Sequence, residues 1–352
     1  MKKIYLPIVA GLFFILACGQ KKANVSKDNS SVETGRVIIS GTVWNDTDGN
    51  MINAHGGGIL YHDGIYYWYG EFKGDSTYWN PKVPGWECYR TEAGGVSCYS
   101  SKDLVNWKFE GVVLPSEKND VTSELHYSHV LERPKVIYND KTGKFVMWLH
   151  VDSHDYLKAA AGVAVSDSPT GKFTYLGSVR PHGQMSRDMT LFKDDDGRAW
   201  HVFSSENNAT LYISLLSDDY LSHTATYTRN FINQSREAPA VFKRNGKYYI
   251  LSSGCTGWDP NQAELAVADS MLGQWTVLGN PCSGKDAGIT FYGQSTFVLP
   301  VAGIHDAYIA MFDKWNKTDL INSRYIWLPV ELKDDSIDIA WKDEWDMYEA
   351  FK

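Results

Sequence analysis

At 352 residues, 43% of them apolar and 22% charged, the chain has room for one large domain or two small ones around a substantial core. Its formal charge of −8 speaks against a nucleic-acid partner, which would need clustered Lys and Arg to displace counterions. Aromatic residues reach 14%, including 13 Trp and 21 Tyr, a surplus that suits either a sugar-binding cleft or the strands of an all-β protein.

At the N-terminus, Met1-Lys2-Lys3 is basic, residues 5–16 are apolar, and Ile15-Leu16-Ala17-Cys18 resembles a bacterial lipobox, cut before Cys18 so that the cysteine can be lipidated. The apolar run, about a dozen residues, is too short for an ordinary spanning helix. Residues 1–18 are therefore expected to be a lipoprotein signal peptide with Cys18 as the lipidation site, and the polar run 19–36 a flexible tether. This predicts an exported bacterial lipoprotein, anchored to a membrane and facing the periplasm or the cell surface.

From 37 to 352 long amphipathic helices are nearly absent, and short β-rich runs separated by Gly, Asp and Asn predict an all-β domain. A module recurs. ILYHDGIYYWYGE (59–71), PKVIYNDKTGKFVMWLHVD (134–152), MTLFKDDDGRAWHVFSSE (189–206), APAVFKRNGKYYILSSG (238–254) and a degenerate STFVLPVAGIHDAYIAMFDKW (295–315) each give a strand, a turn and an aromatic strand. In the first copy His62-Asp63-Gly64 is a hairpin signal, since Asp and Gly accept φ > 0. An outer half repeats in CYSSKDLVNWKFEG, AVSDSPTGKFTYLG and AVADSMLGQWTVLG. Four strands per unit at a period of about 50 residues describe β-propeller blades, and five units fit the length, so a single five-bladed β-propeller is expected over 37–352. A sandwich or jelly roll would not predict this periodicity.

Innermost propeller strands run side by side around the axis, so the residues at their heads gather at one mouth of the funnel. Blade two begins with Glu132-Arg133-Pro134, blade three with Arg187-Asp188-Met189, blade four with Glu237-Ala238-Pro239 and blade five with Gly293-Gln294-Ser295. Carboxylates crowded at an aromatic mouth repel one another and lose solvent, which raises the pKa of at least one. That is what a general acid needs at neutral pH, and paired carboxylates flanking a sugar bond are the machinery of glycoside hydrolysis. Any one of these acids could be a structural cap or ion-pair partner; their recurrence at one module position favours a site.

These residues carry a resemblance. LERPKV, SRDMTLFKDDDG, REAPAV and YGQST, in that order and spacing, resemble glycoside hydrolase family 43, and DTDGNMINAHGGGILYHDGIYYWYGE resembles its exo-β-1,3-galactanase branch. The resemblance implies an inverting hydrolase that frees galactose from the non-reducing end of β-1,3-galactan. It implies that Glu237 is the general acid and that Glu132 orients that acid and raises its pKa. The usual base, an aspartate at the head of the first inner strand, falls here in His55-Gly56-Gly57-Gly58 and is absent. In its place the resemblance implies that Gln294 holds the attacking water, through its imidic-acid form. An ordinary amide is a very weak base, so a role limited to binding a sugar hydroxyl stays open, and Glu71 stands next in line for the water. Tyr156, Asp188, Asn208 and Thr256 are implied to line the terminal galactose subsite, with Glu206 and Trp315 further candidates.

Export permits disulfides; Cys88 with Cys98 and Cys255 with Cys282 would close the shortest loops, but three connectivities remain open. No CxxC or His-rich cluster points to zinc, no cofactor is expected, and the chain is expected to act as a monomer. Two other functions compete. An α-L-arabinofuranosidase or β-xylosidase of the wider family is disfavoured by the first-blade glycines, and a non-catalytic glycan-binding lipoprotein by the presence of both Glu237 and Glu132.

Overall fold

In the computed structural model, which describes Met1, Lys3 and 36–352 apart from 84 and 334–335, every inner module of the sequence is an antiparallel hairpin. The first shows why. Asp63 and Gly64 sit at φ 47° and 81°, the left-handed pair of a type I′ turn, and His62 pairs directly with Ile65 across it.

Strands His55–His62, Ile65–Trp79, Tyr89–Ser101 and Lys108–Pro115 form one four-stranded sheet, and Val130–Asn139, Lys144–Asp152, Ala160–Ser166 and Thr174–Val179 the next. Met189–Lys193, Ala199–Ser205, Thr210–Leu216 and His223–Asn230 make a third, and Arg236–Arg244, Lys247–Gly254, Glu264–Ala268 and Thr276–Gly279 a fourth. Gln294–Pro300, Tyr308–Lys314 and Arg324–Pro329 form a three-stranded fifth. A sixth joins Glu331–Lys333 and Ser336–Ala340 to Cys282–Ser283, the last in parallel. The propeller arrangement therefore has six blade sheets, where the repeat predicts five. The sixth escapes the repeat because residues 331–340 carry no Gly-turn and aromatic module and its third strand comes from far upstream.

The leading strands of the first five sheets pack in sequence around the axis, and Gln294–Pro300 returns to His55–His62. Val37–Ile39 pairs with Glu344–Asp346, tying the two ends of the body together. Between blades the apolar faces interlock: Trp68, Trp107 and Trp327 fill the seam of the first and fifth blades, and Trp148 with Phe203 that of the second and third. Trp68, Trp107, Trp148, Trp200 and Trp327 are all essentially buried, so much of the tryptophan surplus is core. Truncating one such side chain to Ala costs about 3–5 kcal/mol.

Apart from Met1, Lys3 and Arg36, the signal peptide with Cys18 and the tether expected at the N-terminus lie outside the described residues. No helix among the described residues is long and apolar enough to cross a membrane. Cys88, Cys98, Cys255 and Cys282 are all free thiols, so neither short-loop pairing forms. Cys98 is buried against the Pro169 carbonyl, whereas Cys255 faces the cavity beside Asn208.

Candidate active site

Regular pairing would send successive side chains to opposite faces of each sheet. At the strand heads the register slips, between His55 and Gly58, Glu132 and Lys135, Glu237 and Ala240, and Ser295 and Phe297. The second residue of three heads is left-handed: Gly56 at φ 58°, Arg133 at 53° and Ala238 at 51°. Bulges of this kind re-aim side chains, and here they turn Glu132, Glu237 and Gln294 into one cavity of about 680 Å³. Glu71, Tyr156, Asp188, Asn208, Thr256 and Trp315 line the same cavity.

Glu206 does not line it. Its carboxylate accepts hydrogen bonds from Thr210 Oγ1 and Tyr212 OH, both at 2.8 Å, and pairs with Arg229, whose hydrogen bond leads the interactions that hold it at about 2. Its place among the sugar-binding candidates is thus taken by a structural role: it ties together the outer strands of the third blade.

Glu237 is 8% exposed. Burial pushes its carboxyl up to about 8, and the negative charge of Asp188 adds to the effect; Arg133 and hydrogen bonds from Cys255 and Gln294 pull the other way without cancelling it. At neutral pH this side chain holds a proton. Gln294 Nε2 donates to Glu237 Oε1 at 2.8 Å and Asn208 Nδ2 reaches Oε2 at 3.4 Å.

Glu132 behaves in the opposite sense. Burial favours its neutral form, but the hydrogen bond and charge of His150, with Lys73 and Arg90 behind, hold it at about 2. His150 lies between two carboxylates, Nδ1 at 3.2 Å from Glu132 and Nε2 at 3.0 Å from the fully buried Asp152. Burial alone would lower its pKa, yet the two acids raise it to about 9. Tyr156 OH completes the group, donating to Glu132 Oε1 at 3.0 Å. The carboxylate of Glu132 is paired with His150, while burial first and the charge of Asp188 second lift Glu237.

The first-blade glycines have a geometric cause. A Cβ on Gly56 would stand 2.1 Å from Glu71 Oε1, one on Gly57 2.0 Å from the Tyr69 carbonyl, and one on Gly58 2.5 Å from Lys135 Cδ. Where the second, third and fourth heads carry an acid, this one admits a carboxylate from the second strand instead. Glu71 is buried, accepts from the Arg133 backbone N–H at 3.0 Å and pairs with Lys73 Nζ at 2.6 Å. His55 is fully buried and stacks on Tyr325, its ring centroid 5.1 Å away. Lys135, also buried, donates to the Gly56 carbonyl at 2.8 Å and floors the funnel.

Aromatic rings wall one side of the cavity. Trp315 meets Trp258 edge-on with centroids 5.2 Å apart, Trp258 lies 6.3 Å from Trp86, and Trp86 lies 5.9 Å from Tyr156. Trp86 follows the long first-blade strand Ile65–Trp79 and packs against Gly257. Arg133, His150, Cys255, Trp86 and Trp258 are site residues that sequence reasoning missed. Arg133 adjoins Glu132 in LERPKV, and only that adjacency could have flagged it.

Glu132, His150 and Asp188 bring potential ligand atoms within 4.8 Å of one another, but the set does not suit a cation as it stands. Both nitrogens of His150 already contact carboxylates, and Asp188 pairs with Arg133 at 2.9 Å.

The profile of Glycosyl hydrolases family 43 matches residues 59–303. Among solved structures, a family 43 β-1,3-galactosidase with galactodeoxynojirimycin is 46% identical, with a TM-score of 0.82 and coverage of 88% of this chain and 100% of that one. An exo-β-1,3-galactanase from Phanerochaete chrysosporium with β-1,3-galactotriose is 35% identical, TM-score 0.79, covering 90% of this chain and 70% of that one. The exo-β-1,3-galactanase of Clostridium thermocellum is 39% identical, TM-score 0.77, covering 88% and 66%. A β-D-galactofuranosidase of Aspergillus niger is 30% identical over 151 residues, 40% of this chain and 44% of that protein, so the match spans less than half of that relative.

Proposed function

The chain belongs to glycosyl hydrolases family 43, and from that premise we propose that it is an inverting exo-hydrolase releasing galactose from the non-reducing end of β-1,3-galactan, the backbone of arabinogalactan. The observation that carries this reading is Glu237, a buried carboxyl held protonated at neutral pH in an aromatic cavity. Neighbours named as a β-1,3-galactosidase and an exo-β-1,3-galactanase, which cover 88% and 90% of this chain, support the sugar.

In this mechanism Glu237 gives its proton to the glycosidic oxygen as the bond to the anomeric carbon breaks, and water attacks that carbon from the opposite face. Gln294 and Glu71 both face the cavity, but the two acceptor and two donor positions of the Gln294 amide are taken by protein groups, so Glu71 orients the water. Each oxygen of Glu71 accepts a single protein hydrogen bond, from the Arg133 backbone N–H and from Lys73, and keeps a lone pair for the water proton. Burial, aided by the charge of Asp188, keeps the acid protonated, and the Glu132–His150–Asp152 chain fixes Tyr156 at the cavity wall. The aromatic wall suits the apolar face of a terminal sugar.

Galactose release from β-1,3-galactan, with arabinan, xylan and a galactofuranoside assayed alongside, tests the reading. Galactose from the galactan alone is the expected result; pentose release would move the chain to the wider family's pentosidases, and binding without turnover would make it a glycan-binding lipoprotein. The N-terminal sequence supports lipid attachment at Cys18, tested by whether Cys18→Ser leaves the membrane fraction. A monomer is expected by light scattering.

A further inference from the structure

The amide of Gln294 has four partners. Its Oε1 accepts from Arg133 Nη2 at 2.5 Å and from Trp315 Nε1 at 2.9 Å, while its Nε2 donates to Glu237 Oε1 at 2.8 Å and to Ser253 Oγ at 3.1 Å. Guanidinium and indole nitrogens only donate. Turning the amide over would set its NH₂ against two N–H groups at once, so Arg133 and Trp315 fix which end faces the acid.

The clamp is itself held. Arg133 is buried, its Nη2 also pairs with Asp188 at 2.9 Å, and its Nη1 donates to the Ser295 carbonyl at 3.2 Å. Its guanidinium lies 5.8 Å from the centre of the Trp315 ring. Rotation of the Gln294 head would break contacts on both sides.

The consequence falls on Glu237. An oxygen that accepts the Gln294 N–H at 2.8 Å cannot also point a proton along that line, so the carboxylic proton belongs on Oε2. That oxygen takes the long Asn208 contact at 3.4 Å, with the Cys255 thiol as the carboxyl's other neighbour, and can donate to an arriving glycosidic oxygen. We propose that Gln294, clamped by Arg133 and Trp315, is a positioning residue that confines the transferable proton of Glu237 to Oε2 and so aims the acid before the sugar arrives. The inference rests on Glu237 being the acid of the proposed function.

Trp315→Phe removes one donor from the clamp while keeping a ring, and Arg133→Lys keeps the charge while losing the fork. Each is assayed on β-1,3-galactobiose, whose leaving sugar needs a proton, and on β-galactosyl fluoride, whose fluoride leaves as an anion without one. Misaiming a catalytic group by about 1 Å can cost about 100-fold, so whatever loss in sugar binding the two substrates share, both variants should lose about 10- to 100-fold more kcat/KM on the disaccharide than on the fluoride. Equal losses on both substrates, or no loss on either, would overturn the proposal. A readout without substrate accompanies these: the carboxyl ¹³C resonance of Glu237, assigned by its absence from Glu237→Gln, should titrate higher in Trp315→Phe because Gln294 donates to it less firmly. An unmoved midpoint counts against the clamp. If the wild-type protein cleaves neither substrate, the proposed function fails, and the carboxyl titration still decides whether the clamp acts on Glu237.

Discussion

Glu237→Gln should make the protein more stable while removing its activity, and the size of the gain should depend on pH. In the native protein burial, aided by the charge of Asp188, lifts this carboxyl from 4.5 to about 8. A carboxyl whose folded pKa is raised holds its proton in the native state where the unfolded chain has lost it. Its contribution to stability is therefore intact below pH 4.5 and is lost progressively as pH rises toward about 8. At pH 7 the loss amounts to about 3 kcal/mol, and it levels off at about 5 kcal/mol above pH 8. The amide keeps the shape of the acid without that liability, so urea unfolding of the two proteins from pH 5 to pH 8.5 should give a difference in stability that widens with pH in favour of the variant. The same raised pKa predicts that kcat/KM of the wild type falls on the alkaline side with a midpoint near pH 8, as the proton to be transferred is lost. Parallel stability curves for the two proteins, or a rate that holds constant through pH 9, would refute the reasoning that Glu237 is a buried acid held protonated by its surroundings.

Gly56→Ala sets a Cβ 2.1 Å from Glu71 Oε1 at a left-handed φ of 58°. The backbone conformation alone costs about 1–2 kcal/mol, and the displaced carboxylate must leave Lys73 or Arg133, so the melting temperature and kcat should both fall; a variant with wild-type values of both would show that this glycine does not make room for Glu71. In the third blade His201 Nδ1 lies 2.9 Å from His223 Nε2, and burial drives His201 well below its ordinary range and His223 down to about 3. A histidine with a depressed folded pKa withdraws stability as pH falls below 6.5, by about 2 kcal/mol at pH 5 for His223 alone. Thermal melts of His223→Gln should therefore lose less than wild type between pH 7 and pH 5, and an equal loss in both would contradict the assignment.

Much of the architecture was legible because it is local. A Gly-bearing turn between an apolar strand and an aromatic strand specifies a hairpin wherever it falls, and the positions of Glu132, Glu237 and Gln294 at the heads of three such hairpins brought them to one mouth. What was not legible depends on contacts between distant segments. The sixth sheet takes Cys282–Ser283 as a parallel partner of Ser336–Ala340, which no periodicity announces. Glu206 sits one module position beyond the third-blade hairpin and looks like its neighbours until Arg229, from the outermost strand, is seen to pair with it. The ionisation of Glu132 could not be read from its own strand because His150 and Asp152 lie on the next one. Nothing in LERPKV distinguishes Arg133 beyond its place between an acid and a proline, although it contacts Gln294, Asp188 and Ser295.

The configuration of the first product tests the account most directly. β-1,3-Galactotriose digested in an NMR tube, with spectra taken before mutarotation, should give the anomeric proton of α-galactose first, together with galactobiose and no internal cleavage products. Inversion follows if a water oriented by Glu71 attacks the anomeric carbon from the face opposite the leaving oxygen that Glu237 protonates. A β-galactose signal appearing first would mean retention through a covalent intermediate and would contradict the roles given to Glu237 and Glu71; no galactose at all would contradict the function itself.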